Sequence, residues 1–248
     1  MRTTRHVILA SIVVMSLGCS INITDSDSGS RRNVDVEVSE PFLVQLDATT
    51  ALRIRLEGVN GTMTVRGGSG TDVARVEAER RVRSDTRQDA QQFLERVTVE
   101  VAEHGGEILV RTSQPSNAGG REVIVDYDLT IPARLDVDVT TVNGLVTVLD
   151  VVGDVEVSLV NGNIDCDVAM LPAGLVDLSI VNGNVELDVP TSTSAMLDAD
   201  VVNGSIGLIG LTLLDATTST RSVRGRLGAG DGLIDLDATN GTITVRGR

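Results

Sequence analysis

Lysine is missing altogether: all 21 cationic side chains are arginine, against 35 Asp and Glu, for a formal net charge of −14. A nucleic-acid binder needs a dense cationic surface to displace counterions from phosphate, and this balance excludes one. Tryptophan is missing too, and the only aromatics are Phe42, Phe93 and Tyr127. That scarcity argues against a site that stacks sugars or bases. The two histidines and two cysteines form no Cys/His cluster, so a zinc site has no support. No GxSxG motif occurs, and beyond the leader-like N-terminus only His104 could serve a catalytic triad. A 41% hydrophobic content nevertheless suffices for a buried core, so the chain is no disordered acidic polymer.

The N-terminus carries an address. Arg2 and Arg5 precede an eleven-residue apolar stretch, residues 7–17, too short to span a bilayer, which takes about 20 residues as a helix. It ends in Ser16-Leu17-Gly18-Cys19, which resembles the lipobox at which a bacterial lipoprotein is cleaved and its cysteine acylated. Ser16 stands where Leu is usual. Residues 1–18 are thus expected to be a signal peptide, Cys19 the lipidated residue, and 19–32 a polar Ser/Asp-rich tether. Ser20 after the cysteine implies, by the same resemblance, transfer to the outer membrane. With Cys19 acylated, Cys166 is the one remaining thiol, and no intramolecular disulfide can form.

What the chain has in quantity is a repeat. Asn-Gly recurs at Asn60, Asn143, Asn161, Asn182, Asn203 and Asn240, with steps of 18, 21 and 21 from Asn143 and a last gap of 37. Val223-Arg224-Gly225 falls in that gap, where a degraded copy is expected. Periodicity near twenty residues marks a repeat array. Apolar residues stand 6, 4 and 2 positions before Asn161, Asn182, Asn203 and Asn240 (Val155, Val157, Leu159; Val176, Leu178, Ile180; Leu197, Ala199, Val201; Ile234, Leu236, Ala238) and 3 and 5 after Asn143 and those four (Val146, Val148; Ile164, Cys166; Val185, Leu187; Ile206, Leu208; Ile243, Val245). Each unit reads as a period-2 strand, a corner and a second period-2 strand.

Two all-β architectures use such a pattern. Each Asn-Gly could close a type I′ hairpin in an antiparallel meander or sandwich. Alternatively each unit is one coil of a β-solenoid, with Asn stacked on Asn about 4.8 Å apart. A sandwich gap of about 10 Å usually recruits large aromatics. The Val, Ile, Leu, Ala and Cys columns here suit a thin coil, so the solenoid is the expected fold. The N-terminal half is less regular. A short helix over about 84–96, capped by Ser84 or Asp85, would bury Ala90, Phe93, Leu94 and Val97. Strands are expected near 34–38, 51–56, 62–66, 73–83 and 123–129, and a hairpin is expected about His104-Gly105-Gly106. One domain, 33–248, with regular repeats over about 133–248, accounts for the rest.

Together these parts resemble a known family. VNGTMTVRGGSG (59–70), an Arg/Glu-rich strand, a short helix, YDLTIPARLDVDVTTVNG (127–144) and serial VNG copies are similar to bacterial envelope β-repeat proteins labelled "putative adhesin", a family with no established activity. The resemblance implies fold and location, and no binding residues.

Acidity is concentrated: residues 122–220 hold 16 acids and the single cation Arg134, while the remainder holds 19 acids and 20 Arg. On a solenoid, Asp138, Glu156, Asp177, Asp198 and Asp235 share an outward column, and Asp165 and Glu186 share another. Adjacent carboxylates about 5 Å apart repel by roughly 1 kcal/mol in water. Asp138, Glu156, Asp177, Asp198, Asp165 and Glu186 are therefore candidate ligands for weak Ca²⁺ or Mg²⁺ binding, although no recognised Ca²⁺ loop is present and a solvated acidic face is the simpler reading. Cys166 reads as a core residue and His104 as a loop residue. Arg75, Arg80, Arg81, Arg83 and Arg87 read as internally paired, by Glu77, Glu79, Asp85 and Asp89. A polysaccharide-acting β-helix would have Arg134 as its only cation in the acidic section.

The expectation is a non-enzymatic, envelope-anchored β-repeat lipoprotein, adhesin-like or an interaction scaffold. It needs no cofactor and meets the membrane through its lipid and an envelope protein or polymer through its surface. Alternatives are a divalent-cation-binding or polysaccharide-acting β-helix, or an accessory factor in envelope-stress signalling. Because the chain stops just after the Asn240 copy, that copy is expected to be the open end of the stack, with Arg246 guarding its edge and weak head-to-tail association of a monomer.

Overall fold

A computed structural model describes residues 36–248; the expected signal peptide, Cys19 and the expected tether lie outside the described residues. Five long strands carry the regular repeats: β8 (Asp136–Val151), β9 (Val155–Val168), β10 (Leu175–Val189), β11 (Ala195–Ile209) and β14 (Gly232–Gly247). Each runs through an Asn-Gly corner, so its two halves belong to two facing walls. Neighbours pair parallel and in register, Asn143 with Asn161, Asn161 with Asn182, Asn182 with Asn240 and Asn240 with Asn203. This is the solenoid, and parallel pairing rules out the hairpin meander. None of the corner asparagines takes a positive φ, as a type I′ turn would require.

The inward columns explain why the coil closes. Val155, Val176, Ile234 and Val185 are fully buried or nearly so, as are Leu178, Leu187 and Cys166. Branched aliphatic residues stacked on their own kind leave little void and need no aromatic filler. At the corner, Asn143, Asn161, Asn182, Asn240 and Asn203 each donate Nδ2–H to the Oδ1 of the adjacent rung, at 2.6–2.9 Å. The ladder ends where Asn60 Nδ2 donates to Val123 O at 3.1 Å. All its amide dipoles point one way, so each bond polarises the next.

The glycine after each Asn is a steric requirement. Gly183 has φ +141°, and a Cβ there would sit 1.6 Å from Gly162 O. No side chain fits between backbones stacked so closely.

The order of coils in space is not their order in the chain. β14 lies between β10 and β11, giving β8-β9-β10-β14-β11. Two expectations fall with this. Val223-Arg224-Gly225 is no further coil: it lies in β13 (Ser222–Leu227), which pairs antiparallel with the first half of β11 and with β12 (Leu214–Thr218). The chain end is likewise not the stack's end. Arg246 sits inside the stack with Glu186 at 2.7 Å, so it guards no edge. Its physical role is to supply a counter-charge to an acidic column.

The irregular half extends both walls at the other end. On one, β3 (Met63–Gly68) pairs with β8, followed by β7 (Glu122–Pro132), β4 (Val73–Ser84) and β1 (Val36–Asp47). On the other, β2 (Arg53–Glu57) pairs with β8, followed by β6 (Glu107–Ser113) and β5 (Thr98–His104). Asn60 joins the ladder through Asn143, as the repeat implies. Beyond the 34–38 expected, β1 runs through Pro41 to Asp47, an edge position where proline costs no ladder bond. The helix α1 (Arg87–Leu94) buries Ala90, Phe93 and Leu94 as its pattern requires. Its cap is Thr86, whose side chain accepts from the Asp89 amide, rather than Ser84 or Asp85. Ser84 is buried instead and bonds the Asp89 carboxylate.

The two corner residues separate in a stability series. Asn182→Ala breaks two ladder bonds at an exposed site and is expected to cost about 1 kcal/mol. Gly183→Ala drives a methyl into a carbonyl and is expected to cost more than about 3 kcal/mol. Urea unfolding of both variants checks the ranking, and an equal or reversed order would contradict the close-stacking account.

Candidate functional site

The sequence-predicted acids lie on the outer faces of the walls, and the β14 insertion changes who neighbours whom. The first column runs Asp138, Glu156, Asp177, Asp235, Asp198, so Asp235 separates Asp177 from Asp198. Arginine closes both ends: Arg55 Nε lies 2.9 Å from Asp138, and Arg224 Nε lies 2.8 Å from Asp198. Arg224 also reaches Asp200 at 2.8 Å, and Arg53 reaches Glu156 at 3.3 Å. On the other wall, Asp165 and Glu186 are adjacent, with Arg246 on Glu186 and Arg248 within 2.5 Å of Asp167. Of the six candidate cation ligands, Asp138, Glu156, Asp198 and Glu186 thus face arginine. Among the described residues no group of three or more His, Cys, Asp or Glu is arranged to hold a metal ion.

Mid-column the charge is less relieved. Burial, then the neighbouring Asp235, Glu156 and Asp237, pushes the Asp177 carboxyl up from its ordinary value of 3.8. Burial, then Asp235, Asp200 and Asp198, does the same to Asp237. Asp165 is raised by burial and by Glu186 and Asp188. The ends behave oppositely: Glu186 is held low by its bond from Arg246, and Asp200 by Ser222 and Arg224. Asp237 carried no signal as a site in the sequence. Its place three positions before Asn240, in a column with Ser158, Ser179 and Asp200, was readable only once the coil order was known.

Other chemistry-bearing residues are committed to structure. Arg134 donates to the carbonyls of Ala51, Ala48 and Thr49 at 2.6–3.0 Å, pinning the 48–51 turn. Cys166 is a free, fully buried thiol whose pKa burial drives up, in keeping with a core residue. His104 is exposed at the end of β5. Tyr127 is buried, shares a 2.7 Å hydrogen bond with the Thr112 hydroxyl and is pushed up to about 12 by burial. The arginines of β4 pair internally, though largely with other strands: Arg80 with Glu40, Arg81 with Asp126, Arg83 with Glu37 and Glu122. A cleft of about 470 Å³ at β1, β4 and β7 is lined in part by Phe42, Arg75, Glu77, Asp126 and Asp128, and these four charged groups are likewise paired.

One surface feature went unread. The residue before each corner Asn points outward, and Val142, Val160, Val181 and Val202 are 38%, 38%, 42% and 61% exposed. They form an apolar ridge beside the Asn ladder, interrupted only at Thr239. The recurring VNG triplet was the available signal.

With this geometry in view, residues 128–246 match the family model described as Toastrack DUF4097. Over this section the chain is similar to the Toastrack family. The match begins within β7 and runs through the regular coils and the β12–β13 hairpin into β14, just under half of the chain. Among curated proteins, none matches. Solved structures similar to the chain include a "putative cell adhesion protein" from Clostridium sporogenes, 9% identical with a TM-score of 0.47, covering 85% of this chain and 100% of that one. A "putative adhesin" from Bacteroides fragilis is 9% identical with a TM-score of 0.23, covering 84% and 97%. A "Putative lipid binding protein" from Parabacteroides distasonis is 10% identical with a TM-score of 0.28, covering 83% and 96%. Likeness at that level says nothing about what the coils of this chain bind. Among the described residues no helix is long and apolar enough to cross a membrane.

The raised carboxyls give a pH signature. A carboxyl that ionises less readily in the fold than in the unfolded chain opposes folding at neutral pH. That penalty fades as pH falls through the raised folded value toward 3.8. Asp177→Asn and Asp237→Asn are therefore expected to raise the melting temperature by about 2–4 °C at pH 7. The gain should vanish at pH 3. Calorimetric scans at both pH values check this, and an equal gain at both would assign it to packing instead of charge.

Proposed function

We propose that the protein is a non-enzymatic, adhesin-like interaction scaffold held at the bacterial cell envelope by a lipid on Cys19. The observation that carries the reading is the corner ridge, where exposed valines and a hydrogen-bonded Asn ladder repeat along the coil stack. A regular, rigid surface of this kind suits repetitive contact with an extended polymer or another envelope protein. A pocket for a small molecule would instead bring a few polar groups together in a concave site. The arginine-bounded acidic columns act as solvated faces that keep the walls soluble. The lipobox-like Ser16-Leu17-Gly18-Cys19 supports anchoring, and Ser20 supports an outer-membrane destination.

Three measurements test the parts separately. Mass spectrometry of protein from the native envelope should find an acylated N-terminal Cys19; an unmodified Cys19 would remove the anchor. The protein should co-sediment with insoluble cell-wall material, and Val160→Asp with Val181→Asp should weaken that at least fivefold while leaving the melting temperature within a few degrees. Unaltered sedimentation of the double variant would move the contact off the ridge. Calorimetric titration with millimolar Ca²⁺ should give no heat, and a saturable signal would reassign the acidic columns as cation sites.

A further inference from the structure

A stack of β-coils must finish somewhere, and each wall here has two edges. Three of the four carry features that discourage further strands. β1 places Glu37, Glu40, Pro41 and Asp47 along its edge. β5 carries Glu100, Glu103 and His104, and β12 has Asp215 with a register shift between Leu214 and Thr217. The fourth edge is the second half of β11. β13 covers β11 only over 195–200; beyond that, among the described residues, the 220–221 turn lies on the outer side of β11, Arg221 O and Thr220 O accepting from the Val201 and Ile206 amides at 2.9 and 3.0 Å, and nothing pairs with it past Ile206. From Ser205 to Leu214 the chain reads SIGLIGLTLL, without charge or proline.

The core is also open there. Ile206 and Leu208 occupy the inward columns filled elsewhere by Ile243, Val245, Val185 and Leu187, all fully buried. Yet both are only partly buried, alongside Leu211 and Leu213, and Ile209 is 54% exposed. Repeat stacks ordinarily need a polar cap over the last coil. Among the described residues the β12–β13 hairpin caps one wall, and its turn covers the other only as far as Ile206.

We propose that the 207–209 edge of β11 pairs antiparallel with the same edge of a second copy, Leu208 opposite Leu208 about a two-fold axis, joining two stacks end to end. The occupant follows from the edges themselves. An uncharged segment lacking proline meets its own copy with no like-charge repulsion, and the contact is self-complementary and closes. Head-to-tail growth would instead set this edge against β1, whose proline and acids reject an added strand. The amide of Leu208, two residues after Ile206 on the same strand, faces the added strand as the Ile206 amide faces Thr220. Pairing would continue one wall across both copies and cover Ile206 and Leu208.

Three residues a side give a small interface, so the dissociation constant should be on the order of 100 μM. Sedimentation equilibrium from about 10 μM to 1 mM, on the chain from Ser20 onward, which keeps every described residue, should show a monomer–dimer equilibrium that stops at two. Hydrogen exchange at the Leu208 amide should slow at least threefold over that range. Gly207→Lys with Ile209→Lys should remain monomeric throughout. A Cβ at Gly207 would meet only open space and Ile209 is already exposed, so both lysines fit the monomer. A natural chain that stays monomeric at 1 mM, growth beyond dimers, or a dimer unaffected by the two lysines would each overturn the proposal. If the lysine variant fails to fold, the exchange measurement on the natural chain decides alone: an unchanged Leu208 rate overturns it.

Discussion

Everything in this molecule depends on one constraint: equivalent residues of successive coils must lie directly on top of one another. In-register parallel stacking converts each sequence position into a column, and a column admits only residues that tolerate copies of themselves about 4.8 Å away. Branched aliphatics do so inside the coil. Asn does so at the corner because its side chain is donor and acceptor at once, and one rung's Oδ1 is the next rung's partner. Gly follows because the stacked carbonyl, 1.6–1.9 Å from where a Cβ would be over most of the column, leaves no room. The Asn-Gly pair that suggests a hairpin in isolation is thus selected here by stacking.

That same self-similarity limits what a sequence can reveal. The columns, the corners and the buried stripe of α1 were legible because each is a local periodicity with a physical cause. Coil order was not legible, since any permutation of equivalent coils satisfies the same hydrophobic pattern. The 37-residue gap before Asn240 was the one sign of a detour, and it reads equally well as a lost repeat. Charge discriminates between the two. With β11 directly on β10, Gly207 and Ile209 would face Glu186 and Asp188, and those acids would keep only each other and Asp165 and Asp167. Placing β14 there sets Thr244 and Arg246 opposite them and brings Arg248 to Asp167. Exposed pairs of this kind are worth at most about 1 kcal/mol each. Among otherwise equivalent coils, a preference of that size is enough to matter.

The division of charge along the chain follows from the same geometry. Stacking puts like residues together, so an acidic outward position becomes an acidic column and generates its own repulsion. Relief has to come from elements outside the regular series. Arg53 and Arg55 come from β2, Arg224 from β13, and Arg246 and Arg248 from the inserted coil and its end. This is why the section from 122 to 220 is almost pure acid while the rest is balanced. Asp177 and Asp237, which no arginine reaches, are, with Asp165, carboxyls whose ionisation the fold resists.

The two ends of the stack are treated differently, and the difference bears on what the molecule can join. At one end antiparallel strands and a helix extend both walls and finish them with charge and proline. At the other, one wall receives a hairpin and the other stops at an apolar strand. The Asn ladder has the same polarity: its donor end is satisfied by Val123 O, while Asn203, at the far end, stands beside the bare edge. A scaffold capped at both ends presents only its sides. One capped at a single end can also lengthen, and a two-fold junction lets it do so once, doubling the ridge of Val and Asn without opening the way to a fibre.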